Sequence, residues 1–209
     1  KMRIFNADGS EAKMCGNGIR CVGKYVYDKG YTDKTTLRIE TLSGIRTLNL
    51  QIVGSKVKSV TVDMGKAAAE KPITLDVDGK SVTLTPVNVG NPHAVIFVDD
   101  IEKAPLYELG PKIEKHKHFP DGVNVEFVQV QSPLKLRMRV LERGSGVTMA
   151  CGTGACASAM AAIASKYCKY GDEISVRLDG GDLKIQISPD NSVQMTGPAE
   201  FVYEGETIE

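Results

Sequence analysis

The stretch "TMACGTGACASAM", from Thr148 to Met160, repeats the centre of an earlier stretch, "EAKMCGNGIRCVGKY", from Glu11 to Tyr25. The shared core is C-G-x-G, with Asn17 at the variable position of the first copy and Thr153 at that of the second. Two copies of one short pattern, far apart in one chain, indicate that a structural element occurs twice.

Each copy stands in front of a segment that is typical of a helix. The first segment runs from Gly16 to Lys29 and is closed by Gly30, and the second runs from about Gly152 to Tyr170 and is ended by Gly171. Between and after them, stretches such as "TLRIETLSGIRTLNLQIVG" and "GVNVEFVQVQ" alternate apolar and polar residues around glycines, as strands do. The sequence therefore predicts an α/β protein made of two related halves.

Composition limits the kinds of function that fit. The 209 residues are 42% hydrophobic, and 26 basic residues balance 26 acidic ones, so no net field would attract nucleic acid or an anionic membrane. No apolar run reaches the roughly 20 residues of a membrane span, and the beginning lacks the pattern of a signal peptide. We expect a cytoplasmic protein that recognises a small molecule.

The five cysteines are an odd number without a C-x-x-C pair, and the chain has only three histidines. This pattern argues against a disulfide framework and against a structural zinc site, and we expect no metal and reduced thiols. Cys21, Cys156 and Cys168 fall within the predicted helices without the glycine context, so we interpret them as packing residues.

Cys15 and Cys151 are the candidates for chemistry. The first N–H groups of a helix lack intrahelical partners and the helix dipole is positive there, which favours a carboxylate or a phosphate. The same field stabilises a thiolate just before the helix, so we expect a lowered pKa at both cysteines. A lone Cys-Gly at a helix start is usually packing, but its repetition favours a site built from two thiols and two helix ends.

Polar residues outside the helices supply candidate partners. Asn91 and His93 lie in "GNPHAVIF", a break between two apolar strands, and Asn124 begins the strand "NVEFV". Glu142 and Arg143 end a strand in "LERGSGVT", and the two glycines after them let the chain fold back toward Cys151. Turn chemistry and a surface ion pair are the alternative interpretations of these residues.

Five motifs in order along the chain resemble the diaminopimelate epimerases. They are "FNADGSEAKMCGNGIRC", "GNPHAV", "GVNVEFV", "ERGSGVTMACGTGACA" and "MTGPAEFVYEGE". The resemblance implies an isomerase that needs no cofactor, pyridoxal phosphate included, and interconverts LL- and meso-diaminopimelate in lysine biosynthesis. It also implies two pseudo-symmetric domains, each a mainly antiparallel sheet around a central helix, with the active site between them. We place the domains at 1–52 with 197–209, and at 53–196; a homodimer is left open.

The resemblance also implies roles for individual residues. Cys15 and Cys151 match the two catalytic cysteines, one removing the α-proton as a thiolate and the other returning a proton from the opposite face. His93 matches the residue that assists the first cysteine, and Glu142 the one that assists the second. Two groups of positions match substrate-binding residues: for the distal amino-acid end Asn6, Asn91, Asn124, Glu142 and Arg143, and for the reacting carboxylate Gly16, Asn17, Gly152 and Thr153.

Two departures from the family pattern bear on these expectations. The family's glycine-rich link commonly carries an acid where this chain has Val147. Only fourteen residues precede Cys15, whereas family members carry a further N-terminal section with strands and a substrate-binding asparagine. We therefore expect a first domain that is short at its N-terminus, and hypothesise that this chain alone is poorly folded or inactive; a cooperative melt together with full turnover would refute the hypothesis.

Two other functions compete with this interpretation. Proline racemases and hydroxyproline epimerases use the same two-thiol chemistry, but they typically read C-G-H-G at the first cysteine and D-R-S-P-C-G-T-G at the second. Asn17 and the run Glu142-Arg143-Gly144 favour the diaminopimelate interpretation. A non-catalytic module that binds an anion at two helix ends is the third possibility, and its binding would survive replacement of both cysteines by alanine.

Overall fold

The computed structural model describes residues 1–5, 9 and 11–206. The chain divides into two compact units, the first formed by Lys1–Val62 with Thr196–Glu209 and the second by Asp63–Met195. The domain limits drawn from the sequence, 1–52 with 197–209 and 53–196, stay a prediction. Strands and a few helices alternate in both units, which confirms the mixed α/β class.

The described part of the first unit consists of antiparallel strands and the helix α1. The elements are β1 (Ile4–Phe5), β2 (Glu11–Ala12), α1 (Gly16–Asp28), β3 (Thr36–Thr41), β4 (Gly44–Val53) and β5 (Lys56–Lys66), the last of which runs on into the second unit. Strand β1 pairs with β2, and β4 pairs with both β3 and β5, all antiparallel.

Helix α1 begins and ends where the sequence predicts, apart from one residue at its end. Its last turn closes on Lys29, whose N–H donates to the Tyr25 carbonyl, and Gly30 follows with φ +76°. One face is buried against the sheet: a Cβ at Gly23 would lie 2.9 Å from Cδ2 of Leu48. Glycine at this position therefore permits the close approach of the helix to β4.

The second unit is a large sheet with helices on its two faces. The elements are β6 (Ala68–Ala69), β7 (Ile73–Val77), β8 (Lys80–Asn88), β9 (Pro92–Phe97), α2 (Leu106–Glu114), β10 (Asn124–Ser132), β11 (Lys135–Glu142), β12 (Gly146–Thr148), α3 (Gly152–Ala164), β13 (Glu173–Leu178), β14 (Gly181–Ile187) and β15 (Ser192–Gly197). The strands follow the order β15-β14-β13-β11-β10-β9-β8-β6, with β7 on β8 and β12 on β11. The pairs β9/β10 and β11/β13 are parallel.

Helix α3 is the central helix of the second unit. Every residue from Ala155 to Ile163 is buried. The helix contacts strands across most of the width of the sheet, from β14 to β6. Alanine and other small residues let a sheet wrap closely around a helix that is apolar on all sides. The helix is shorter than predicted, since it ends at Ala164 rather than near Tyr170. Lys166 takes φ +63° and Tyr167 donates its N–H back to Ala162, which closes the helix without a glycine.

Helix α2 is an element that the sequence analysis missed. Leu106, Leu109 and Ile113 form one buried stripe at helical spacing and pack with strand residues such as Phe127. The dipeptide Gly110-Pro111 in its middle is typical of a turn and hides the helix in the sequence. With α2 on one face and α3 on the other, β10 has no solvent-facing side over its first five residues.

Phe127→Ala is expected to lower the free energy of unfolding by about 3–5 kcal/mol, because it removes a fully buried ring from the layer between β10 and α2. Denaturant titration followed by circular dichroism measures the loss. Tyr107→Ala is the matched control on α2, since this ring is 69% exposed, and should change stability by no more than about 0.5 kcal/mol. Equal effects of the two substitutions would contradict the assigned packing.

The cysteines interpreted as packing residues have three different environments. Cys156 lies buried in α3, as predicted. Cys21 lies in α1 but is exposed, so the packing interpretation is wrong there. Cys168 is buried but lies after the end of α3, because that helix is shorter than predicted.

Candidate active site

Cys15 and Cys151 occupy the same local structure at the starts of α1 and α3. Each is the N-cap residue, with φ −135° and ψ 116° at Cys15 and φ −127° and ψ 111° at Cys151. Each sulfur accepts the N–H of the residue three positions on, Gly18 at 3.4 Å and Gly154 at 3.3 Å. The repeated C-G-x-G pattern therefore folds into a repeated cap, in which the thiol takes the place of the usual Ser or Asp oxygen.

An arginine that the sequence analysis missed organises the start of α1. Arg20 is 8% exposed, and its Nη1 donates to the Gly16 carbonyl and to Oδ1 of Asn17, both at 3.1 Å. Its Nε donates to the carbonyl of Pro198 at 3.2 Å. The spacing of three and four residues from Asn17 and Gly16 is the sequence signal for this arrangement, since such residues share a helix face. Arg20 thus orients the Asn17 side chain and places its positive charge beside the Gly16 carbonyl.

The thiol of Cys151 has a higher pKa than the thiol of a free cysteine. It is 5% exposed, and this burial raises the pKa of its thiol, as do the negative charges of Glu142 and Glu126. The Thr153 hydroxyl and the Gly154 N–H act in the opposite direction and are outweighed. The expectation of a lowered pKa is therefore wrong for Cys151. The free energy lost when a thiolate is removed from water exceeds the free energy gained from its two hydrogen-bond donors. Burial therefore favours the thiol form of Cys151 over the thiolate.

A chain of polar side chains leads from the interior of the second unit to the Cys151 sulfur. Nδ1 of His93 lies 2.6 Å from Oε1 of Glu126, and its Nε2 lies 3.1 Å from Oδ1 of Asn91. Nδ2 of Asn91 donates to Oγ1 of Thr153 at 3.3 Å, and that oxygen lies 3.5 Å from the sulfur of Cys151. Four of the predicted site residues, those at 91, 93, 151 and 153, are thus joined within one unit.

Asn124 holds together the two loops that carry the other candidates. Its Nδ2 donates to the Pro92 carbonyl at 3.1 Å, beside His93, and its Oδ1 accepts the N–H of Arg143 at 2.9 Å. Asn124 also stands opposite His93 in the parallel β9/β10 register. One buried amide therefore fixes the positions of the loop before β9 and the loop after β11 relative to each other.

The neighbouring residues Glu142 and Arg143 make contacts with different partners. Glu142 accepts a hydrogen bond from the Thr148 hydroxyl and is close enough to Cys151 to raise the pKa of that thiol. The Arg143 side chain is exposed, and its Nη1 donates to the Asp121 carbonyl at 2.9 Å. Glu142 and Arg143 thus do not pair with each other, and the surface ion pair considered as the alternative does not form.

Val147 packs against the buried cluster beneath α2, so the residue that departs from the family pattern serves the core.

Glu126 is the functional candidate that sequence reasoning missed in this unit. Its side chain is wholly buried, and it lies against His93 and the first turn of α3. The signal in the sequence is a single carboxylate inside the apolar strand "NVEFV". On an open sheet such a residue faces solvent, and only the two helices covering β10 exclude that interpretation.

Three further expectations concern Asn6, metal binding and membrane spans. Asn6 lies outside the described residues. Within the described ranges, no group of three or more His, Cys, Asp or Glu side chains is arranged to hold a metal ion. Helices long and apolar enough to cross a membrane do not occur in that same part of the chain.

Solved structures show that this fold has been seen before. A PhzF-family phenazine biosynthesis protein from Bacillus anthracis superposes with a TM-score of 0.78 at 15% identity, over 99% of this chain and 80% of that one. A hydroxyproline epimerase from Agrobacterium vitis superposes with a TM-score of 0.73 at 19% identity, over 97% of this chain and 69% of that one. At such low identity these likenesses show the fold alone, and they confirm the predicted class.

Sequence comparison is more specific. The sequence model of diaminopimelate epimerase matches residues 1–70 and 85–202. A diaminopimelate epimerase from Phocaeicola vulgatus is 54% identical over 98% of this chain and 77% of its own length. Another, from Bacillus licheniformis, is 49% identical over 99% of this chain and 77% of its own length. The resemblance carried by the five motifs is confirmed: the chain belongs to the diaminopimelate epimerase family and is an isomerase.

Proposed function

We propose that the protein interconverts LL- and meso-diaminopimelate by passing a proton between the substrate α-carbon and the thiols of Cys15 and Cys151. The observation that carries this proposal is the repeated cap, in which each sulfur accepts an N–H of the first helical turn, from Gly18 and from Gly154. A module that only bound an anion at a helix end would need the N–H groups and no thiol.

The reaction consists of two proton transfers on opposite faces of one carbon. A thiolate takes the α-hydrogen as a proton, so the C–H bond breaks, an S–H bond forms and the electron pair stays on the substrate. That pair spreads into the α-carboxylate, where negative charge builds up. The second thiol then gives its proton to the other face of the carbon, which inverts the configuration and leaves the second sulfur as a thiolate.

Cys151 serves as the proton donor in the direction that begins with Cys15. Its burial and the charges of Glu142 and Glu126 raise its pKa, so the protonated thiol is its resting form. The donors Thr153 and Gly154 lower the cost of the thiolate that the transfer leaves behind. In the reverse direction Cys151 has to lose its proton first.

The helix starts stabilise the carboxylate as charge builds up on it. In α3 the N–H groups of Gly154 and Ala155 donate to Cys151, to its sulfur and to its carbonyl. The N–H groups assigned to the substrate carboxylate are therefore those of Gly152 and Thr153, and at α1 those of Gly16 and Asn17. Fixed donors aimed at developing charge lower the barrier without reorganising, and about 1.4 kcal/mol of such stabilisation gives a tenfold rate increase.

The distal amino-acid end of the substrate is assigned to the loops that Asn124 joins. Arg143 has a planar fork that matches a carboxylate with two hydrogen bonds, and the Asn124 contact to its N–H sets its backbone position. Glu142 and Asn91 supply acceptors for the distal ammonium group, and Asn6 is assigned to the same end from its motif alone. Holding this end positions the reacting carbon between the thiols.

Incubation of the protein with LL-diaminopimelate in deuterated water tests the proposal. We expect the meso isomer to form, with one solvent deuterium at the inverted α-carbon, as followed by NMR and mass spectrometry. L-Proline serves as the comparison substrate and should show neither racemisation nor exchange. Absence of exchange with diaminopimelate would refute the proposal, and exchange with proline instead would favour the racemase alternative.

The proposed function requires no macromolecular partner. The balanced charge gives the enzyme no electrostatic reason to bind nucleic acid or an anionic membrane. Self-association into a homodimer is compatible with the mechanism, and sedimentation of the active protein would reveal it.

A further inference from the structure

Glu126 lies under the first turn of α3, on the same face of β10 as Asn124. Its neighbours Val125 and Phe127 point to the opposite face, where they pack with α2. A Cβ at Gly154 would lie 2.8 Å from Oε1 of Glu126. Gly154 is therefore the residue that gives this carboxyl group its space, two positions after the helix begins.

The contacts of His93 determine where its protons are. Oδ1 of Asn91 can only accept a hydrogen bond, so Nε2 of His93, 3.1 Å away, carries a proton and donates it. Nδ1 of His93 faces Oε1 of Glu126 at 2.6 Å, and two lone pairs at that distance would repel each other. One proton must therefore lie between these two atoms.

The surroundings of the second oxygen of Glu126 are further evidence for the shared proton. Oε2 is buried and has no hydrogen-bond partner among the described residues. A full negative charge on a carboxylate with one oxygen unpaired is unfavourable in a dry interior. Sharing a proton with His93 reduces that charge, and the N-terminus of α3 favours what remains of it.

The donors that follow in the chain all point toward Cys151. Because Oδ1 of Asn91 accepts from His93, its Nδ2 is turned toward Thr153 and donates to Oγ1 at 3.3 Å. Oγ1 then has its own hydrogen left to donate to the Cys151 sulfur, 3.5 Å away. Loss of the proton between Glu126 and His93 would therefore alter, one after another, the hydrogen bonds that lead from His93 to the Cys151 sulfur.

We propose that Glu126 is a positioning residue of the epimerase: the proton that it shares with His93 fixes the His93 ring, and thereby the Asn91 amide and the Thr153 hydroxyl that solvates the Cys151 sulfur. The kinetic part of this inference rests on the proposed function. The part that concerns the proton between Glu126 and His93 rests on the geometry alone.

Glu126→Gln is the decisive variant, because it keeps the shape of the side chain and removes its acid. The introduced amide donates a neutral N–H to Nδ1 of His93, which is a longer and weaker hydrogen bond than the shared proton makes, so the ring is held less firmly. We expect kcat to fall by about 10- to 100-fold, the range found for side chains that orient metal-binding histidines, with KM changed by less than about twofold. Glu108→Gln is the matched control, since Glu108 is an exposed carboxylate paired with Lys80, and should leave kcat unchanged.

The proton itself is observed by NMR of protein labelled with ¹⁵N in its three histidines, without substrate. In the unsubstituted protein we expect a far-downfield proton resonance correlated with Nδ1 of His93, and in Glu126→Gln we expect this resonance to be lost while Nε2 stays protonated. Identical His93 spectra, or an unchanged kcat in an active enzyme, would overturn the proposal. Should the protein fail to act on diaminopimelate at all, the proposed function falls, and the spectra still decide the state of the pair.

Discussion

Cys151→Ala is expected to lower the rate of diaminopimelate epimerisation by about 10⁴-fold or more, the upper range for removal of a general acid or base. The loss is large because, in the proposed mechanism, this thiol is the proton source for one face of the α-carbon. The Gly154 N–H and the Thr153 hydroxyl remain in the variant, but neither is as acidic as a thiol. Conversion of LL-diaminopimelate to the meso isomer, followed by NMR, measures the effect.

Cys168→Ala is the control for this substitution. Cys168 is also a buried cysteine of the second unit, but it lies in the turn after α3, at the opposite end of the helix from Cys151. We expect it to keep the full rate at the cost of about 1 kcal/mol of stability, an ordinary loss for a small buried side chain. If Cys151→Ala kept a rate within about tenfold of the unsubstituted protein, general acid–base catalysis by this thiol would be excluded.

The sequence was sufficient to predict those features that depend on neighbouring residues. The helix starts after Cys15 and Cys151 and the end of α1 before Gly30 each follow from residues within a few positions of one another. In such cases the unpaired backbone N–H and C=O groups at a helix end decide the structure, and the residues that satisfy them lie next to the helix end in the sequence.

Features that depend on contacts across the sheet were not predictable in the same way. Glu126 and His93 are 33 positions apart and meet only because β9 and β10 pair in parallel at one particular register. The turn-like pair Gly110-Pro111 hid α2, and without α2 the burial of β10 on both faces could not be inferred. The pKa of Cys151 was predicted in the wrong direction for the same reason, since burial is a property of the whole fold and the helix dipole is a local one.

Cys15→Ala is expected to abolish epimerisation to the same extent as Cys151→Ala, and the two variants together determine which thiol serves which face. With one thiol removed, the other can still take an α-hydrogen as a proton and return a solvent deuteron to the same face. Each variant should therefore exchange the α-hydrogen of one diaminopimelate isomer without inverting it, and the two variants should exchange opposite isomers. Cys21→Ala is the control on the same helix, since this thiol is exposed and should be dispensable.

The exchange catalysed by Cys15→Ala should also depend on pH in a known direction. Only Cys151 remains as a base in this variant, and burial holds its pKa above the ordinary value, so its thiolate fraction is small at neutral pH and grows as the pH rises. We expect the exchange rate to increase about tenfold per pH unit while the pH stays below that pKa. Exchange of the same isomer by both cysteine variants would contradict the two-face mechanism, and a rate that fell with rising pH would contradict the assignment of Cys151 as a thiol in its resting form.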